Sequence, residues 1–384
     1  MNRIKYFLKI YLIVAGISIH VLALGILVVV PDKVLDVYYR GYAILEDKIP
    51  LLKTGPDAVQ SGLSIEEEIR LNFEPWKPLA TREEKKAGIW VNDRQVKSLK
   101  AASKAVRNGD VLKIGEGVYH QPLVIRANDV TVIGLGHVVI EKTAAEGKAA
   151  IITKGNNIQI KNIECRNIKV QDRNGACVRH EGQGLTLTHV YFHHSQQGLL
   201  AGSKSGQILI EDSRFERLGL AGRAHGIYVH GGRLTLRNSI VIASKDQGHE
   251  VKSRAAMTTI EHSVIASLSA HDSRLIDIPN GGLLTIKNSI LQKGTNSSNQ
   301  DLIGYGLEKR AYAENKAVLL NNLIVMERQR GNVLFHNHKS LPKVVTRNNV
   351  IVAKNEPDIV GVNVLFESRS EAGMADYPKL PKFD

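Results

Sequence analysis

Cysteine, aromatic residues and concentrated charge are what this sequence has least of. Its 384 residues include two cysteines, two tryptophans and 5 % aromatics. Two cysteines, Cys165 and Cys177, are too few and too close for a disulfide scaffold or a thiolate metal cluster. They read as small buried side chains. No arginine-rich arm or nucleic-acid motif is present, so nucleic acid is not expected as a partner. The net charge of +13 is spread along the chain and suits a polyanion. Leucines at the offsets of leucine-rich repeats are also missing.

One long apolar run exists, Ile10 to Val30, after Arg3, Lys5 and Lys9. It is long enough to span a bilayer as a helix. Ala23-Leu24-Gly25 makes a poor cleavage site and more apolar residues come after it, so an uncleaved anchor is expected. Basic residues before the span put the N-terminus in the cytoplasm. The expectation for a Gram-negative source is a single-pass inner-membrane protein with its bulk in the periplasm. Residues 1–31 would be stub and anchor, and 32–88 a partly helical spacer. Ser64-Ile65-Glu66-Glu67 looks like a helix start, and Pro75 and Pro78 break that helix.

From Val96 the character changes. Val96, Leu99, Ala102 and Val106 share one helical face, and Gly109 ends the run. Beyond it a pattern returns at Asn162, His189, Asp212, Asn238, His262, Asn288, Asn322 and Asn349, in steps of 27, 23, 26, 24, 26, 34 and 27 residues. A fixed period in the mid-twenties marks a solenoid of short strands and tight turns. Asn, Asp and His at the repeated position suit left-handed turn geometry. His189 and His262 are therefore assigned to turns. The step of 34 is read as an insertion after Gly294 that includes Thr295 to Gln300. The solenoid is expected over 89–366, with 367–384 a loosely attached tail.

Three successive repeats concentrate the chemistry. Alternation in Gly226–His230, Glu250–Arg254 and Ile276–Ile278 opposes apolar to polar residues. Stacked side by side, Tyr228, Lys252 and Asp277 would form an exposed outer row. Candidate catalytic residues are Lys252, Arg254, Tyr228, His230, His225 and Glu250. Candidate substrate contacts are Arg179, His180, His249, Arg274 and Asp277. His271 and Asp272 read as surface residues at a turn. The intervening Gly198-Leu199-Leu200-Ala201-Gly202 would leave a shallow trough for a sugar ring. A zinc pair of His225 and His230 is set aside, because their spacing on a strand holds them apart.

The stretch Gly109-Asp110-Val111-Leu112-Lys113-Ile114-Gly115-Glu116-Gly117-Val118-Tyr119 after a short amphipathic helix resembles the entrance of right-handed parallel β-helix proteins, the pectate-lyase-like superfamily. That resemblance implies an all-β solenoid whose open first coil is covered by a capping helix, as exposed strand edges require. Here one transmembrane helix would precede it. Lys252-Ser253 resembles the Lys-Ser strand of alginate- and chondroitin-type β-helix lyases. Their Arg-His-Gly segment on a following coil has no counterpart after Lys252, and the nearest sequence is Arg223-Ala224-His225-Gly226. The Gly248–Ala255 and Asp277–Gly282 segments are more similar to a bacterial group of β-helix proteins to which no activity is attached.

Such a surface suits β-elimination or C5-epimerisation of an acidic polysaccharide. Removing the C5 proton requires a cation on the carboxylate, a base and, for elimination, an acid at the departing oxygen. Arg254 and Arg179 are the candidate cations, Lys252 the base, and Tyr228 or His230 the acid. A non-catalytic scaffold in polysaccharide assembly or export is the competing class, with envelope export machinery as its partner. Glycoside hydrolysis would need a carboxyl pair such as Glu250 and Asp277. No cofactor or metal is expected, with calcium the one ion left open.

Overall fold

A computed structural model describes residues 61–80, 88–328, 331–355 and 357–382. They fall in the larger of two compact units, Asp57–Asp384. The expected membrane span lies outside the described residues. Among these, no helix is long and apolar enough to cross a bilayer.

The described chain winds into stacked coils, each with three short walls. Two walls belong to one large sheet and the third forms a separate nine-stranded sheet. The third wall comprises β1 (Leu123–Ile125), β2 (Ala149–Thr153), β3 (Ala176–His180), β4 (Gln197–Ala201), β5 (Ile227–Val229), β6 (Val251–Ser253), β7 (Ile276–Ile278), β8 (Asp301–Tyr305) and β9 (Val333–Asn337). Each pairs in parallel with the equivalent strand of the next coil. Equivalent aliphatic positions therefore stack. Ile160, Leu187, Ile210, Leu236, Ile260, Ile286 and Leu319 are in register along the first wall, and all are buried. Burying each such side chain stabilises the fold by roughly 1.5–3 kcal/mol.

The turn between the first two walls explains the repeated residue. Asn162, His189, Asp212, Asn238, His262 and Asn288 all have positive φ, as do Asn321 and Asn348. Asn322 and Asn349, taken from sequence as the turn positions, are instead the next residue, which points inward. They continue a ladder in which each inward side chain accepts a backbone N–H from the preceding coil. Ser213 N–H donates to Ser239 Oγ (3.1 Å), Ser239 to Ser263 (3.2 Å), Ser263 to Ser289 (3.1 Å), Ser289 to Asn322 Oδ1 (3.0 Å) and Asn322 to Asn349 Oδ1 (2.9 Å).

The entrance is closed by helix α2 (Leu99–Ala105), which buries Leu99 and Ala102 and starts at Ser98, whose Oγ accepts from Ala101 N–H. Val96, expected on that helix, ends the strand Arg94–Val96. Helix α1 (Ile65–Asn72) begins with a capping box of Ser64 and Glu67 and lies on the solenoid flank. Its Ile69 packs against Ile242, Ala266 and Leu268, and Glu68 accepts from Ser269 N–H. The tail is not loose. Asn72 Nδ2 donates to Pro378 O, Leu380 N–H to Asn72 Oδ1, and Tyr377 OH to Glu68.

The cysteines, expected as small buried side chains, are buried and form a disulfide with each other. Cys165 faces inward from the second wall and Cys177 from β3, so both sit in the interior at a Cα separation of 5.7 Å. The insertion also lies elsewhere than expected. Ile276 pairs with Ile303, 27 residues on, whereas Leu283 pairs with Lys316, 33 on. Most of the extra chain is thus residues 306–315, after β8.

Candidate functional site

The outer face of the third wall carries the site. Register places Arg179, Leu200, Tyr228, Lys252, Asp277 and Gly304 in one row. The expected line-up of Tyr228, Lys252 and Asp277 is therefore present. It is not exposed as expected. Lys252 and Asp277 retain only 9 % and 1 % of their surface. Neighbouring side chains and Glu308, from the 306–315 loop, cover them.

Lys252 Nζ lies 3.0 Å from Asp277 Oδ2 and donates to Glu308 Oε1 at 3.1 Å. Burial lowers the ammonium's pKa, but Asp277 and Glu308 outweigh it, and the net shift is upward. Lys252 is held charged by these two carboxylates, the opposite of the lowered pKa that the role of base calls for. Arg254 donates from Nε to Tyr228 OH at 2.9 Å, from Nη1 to Asn280 Oδ1 at 2.8 Å, and from Nη2 to Glu308 Oε2. One carboxylate, that of Glu308, thus spans both cations. Arg274 binds Asp301 Oδ2 through Nε (3.0 Å) and Nη2 (2.9 Å), and Asp277 Oδ1 through Nη1 (3.3 Å). His336 Nδ1 also meets Asp301, at 2.9 Å.

His225 and His249 support the row from beneath. Their rings stack at 4.7 Å, and His225 meets Tyr228 edge-on at 5.1 Å. His225 Nδ1 accepts from His249 N–H, and His249 Nδ1 from Arg274 N–H, both at 3.1 Å. With Nδ1 accepting, the proton of each neutral ring is assigned to Nε2. Desolvation holds both imidazoles well below the usual histidine range. His225, expected as catalytic, and His249, expected against substrate, are therefore buried neutral rings. His230 is exposed, with its ring 4.1 Å from that of Tyr228. Desolvation and the cations Arg254, Arg179 and Lys252 bring it down to about 4.

Two candidates lie off this face. Glu250, expected beside Lys252 and Arg254, is fully buried at the corner before β6. The strand alternation starts only after it. Its Oε1 accepts from Ser244 N–H, and desolvation and Asp272 hold its carboxyl well above the usual range. Asp272, expected at the surface, is also buried, with Oδ2 accepting from Ser267 Oγ. The glycoside-hydrolase pair of Glu250 and Asp277 is consequently not formed. His180, expected on the patch, faces inward as the strand neighbour of Arg179. It contacts Thr153 Oγ1 at 2.8 Å and is lowered by burial to about 4.

Beside His230 a cleft of about 570 Å³ opens, lined by Ser203, Gly206, His230, Arg233, Ala256 and Tyr312. Tyr312 forms its far side and donates its hydroxyl to Arg254 O at 2.6 Å. Glu308, Asn280, Tyr312, Asp301 and His336 were not anticipated from sequence. The long repeat step was the one signal for the loop that carries Glu308 and Tyr312. Among the described residues, no group of three or more acidic, histidine or cysteine side chains is placed to hold a metal ion.

Residues 123–265 match the family described as the right handed beta helix region. The described coils form a parallel β-helix, and the matched stretch is of the right-handed kind. No curated protein matches its sequence. Among solved structures, it is similar to an alginate lyase from a Paenibacillus species, at 14 % identity and a TM-score of 0.48, covering 70 % of this chain and 94 % of that one. It is similar to the pectin methylesterase PemA from Erwinia chrysanthemi at 13 % identity and a TM-score of 0.42, covering 74 % and 93 %. The A-module of mannuronan C-5 epimerase AlgE4 from Azotobacter vinelandii is similar at 12 % and 0.34, covering 70 % and 91 %. At such identities no residue role transfers from them to this β-helix.

Proposed function

We propose that this β-helix binds an acidic polysaccharide along the third wall and cleaves it at a uronate by β-elimination. The observation that carries this reading is the pair Lys252 and Arg254, bridged by a single carboxylate beside the Tyr228 hydroxyl and the His230 imidazole. Abstraction of a proton next to a carboxylate is favoured when fixed positive charge meets the developing enolate. Arg254 and Lys252 supply that charge. His230, neutral above about pH 4 and open to the cleft, takes the C5 proton. The electron pair left at C5 forms the C4–C5 double bond as the C4–O4 bond breaks. Tyr228 gives its proton to the departing oxygen. Tyr228 and His230 stand side by side on the outer face of the third wall, their rings 4.1 Å apart, and a one-sided pair favours elimination over epimerisation, since the latter returns a proton from the opposite face of the sugar.

The same reading places the protein outside the cytoplasm, held by the apolar Ile10–Val30 run, where the Cys165–Cys177 disulfide would persist. The experiment is turnover on a panel of uronate polymers, followed by the ultraviolet absorbance of the unsaturated product. Tyr228→Phe is expected to lower turnover by at least about 100-fold while polymer binding persists. Polymer binding by the wild type with neither cleavage nor C5 proton exchange on any substrate would sink the catalytic reading and leave a scaffold.

A further inference from the structure

We infer that the Lys252–Arg254 pair is a subsite for one sugar carboxylate, and that Glu308 occupies it in the unliganded protein as an internal competitor. This rests on the reading of the third wall as an acidic-polysaccharide site and names how its acidic group is recognised. Glu308 is the only member of the network whose carboxylate is about half exposed, at 49 %. Its two oxygens reach Lys252 Nζ and Arg254 Nη2 separately, and a uronate carboxylate has the same planar two-oxygen head.

Charge balance supports an exchange. Lys252, Arg254 and Arg274 face Asp277, Asp301 and Glu308, three cations against three anions. With Glu308 withdrawn, the network has room for one negative charge. Neither cation is stranded in the interval, because Lys252 keeps Asp277, and Arg254 keeps Tyr228 and Asn280.

The loop itself need not move. Glu308 and Lys309 donate backbone N–H groups to Pro279 O at 3.1 and 2.9 Å, Ala311 donates to Asn280 O at 3.0 Å, and Tyr312 is tied to Arg254 O. A change of side-chain rotamer at Glu308 frees the subsite beneath a fixed loop.

The test is calorimetric binding of uronate oligosaccharides to the full chain, with carboxyl-reduced and sulfated oligosaccharides as separate arms. Glu308→Gln is expected to bind the uronate oligomers roughly fivefold more tightly than the wild type, with no gain for the carboxyl-reduced ones. Glu308→Ala, which leaves no amide to engage Lys252, is expected to show at least the same gain. A gain confined to sulfated oligomers would overturn the assignment to carboxylate. Equal or weaker uronate binding by both variants, with the wild type binding, would overturn the competitor role and leave the proposed function standing. Absence of uronate binding in all three proteins would overturn both.

Discussion

Lys252 shows how much a single neighbour decides. Sequence offered it as the candidate base, a role for which burial must depress the lysine's pKa. Burial is real, but Asp277 sits one coil along in the same row and Glu308 comes from a distant loop, and together they reverse the sign. Glu250 carries a pH prediction. Its folded-state carboxyl lies well above the unfolded value, so the protonated form contributes stability at low pH that is lost as pH rises through the folded value. Glu250→Gln keeps an acceptor for Ser244 N–H and cannot ionise. It is expected to melt higher than the wild type at alkaline pH, with the gap closing toward about pH 4, as thermal scans across that range would reveal. Strand alternation made Tyr228, Lys252 and Asp277 legible, because each lies within a regular strand. It could not place Glu250, which precedes the first paired residue of β6. His180 was misplaced for a simpler reason: adjacent strand residues face opposite sides, and Arg179 already claimed the outside.

At the scale of the element, the repeated turn was legible and its supporting bonds were not. The marker residues stood out because few side chains accept positive φ. The serine after them carries no such signature, yet it ties one coil to the next. Ser239 Oγ accepts from Ser213 N–H and donates to Arg237 O. Ser239→Ala leaves the Ser213 N–H buried without an acceptor and is expected to destabilise by about 1–3 kcal/mol in chemical denaturation. The site depends on a comparable fit at the corner before β5. A Cβ on Gly226 would stand 2.5 Å from Glu250 O, so only glycine lets the coils approach closely enough to stack His225 on His249. The 306–315 loop had no motif to announce it. Its length was visible, but its place was set by strand register, which the sequence does not carry.

For the whole molecule, the period and the capping helix were enough to anticipate the solenoid, since each arises from local pattern. The disulfide was not anticipated, because it joins two walls of one coil through the interior and its partners look like ordinary buried residues. Replacing both cysteines, Cys165→Ala with Cys177→Ala, is expected to lower stability by roughly 2–3 kcal/mol, measured as a shift of the denaturation midpoint. An unchanged midpoint would mean the bond does not constrain the unfolded chain.

Helix α1 and the C-terminal segment grip each other midway along the flank, at Asn72, Tyr377 and Leu380. Tension applied to the chain ahead of residue 61 therefore enters the fold at this clasp, beside Ser269, and not at the capping helix. Such a load falls across several coils in parallel, as a strap loads a barrel, and does not peel them one by one from the end.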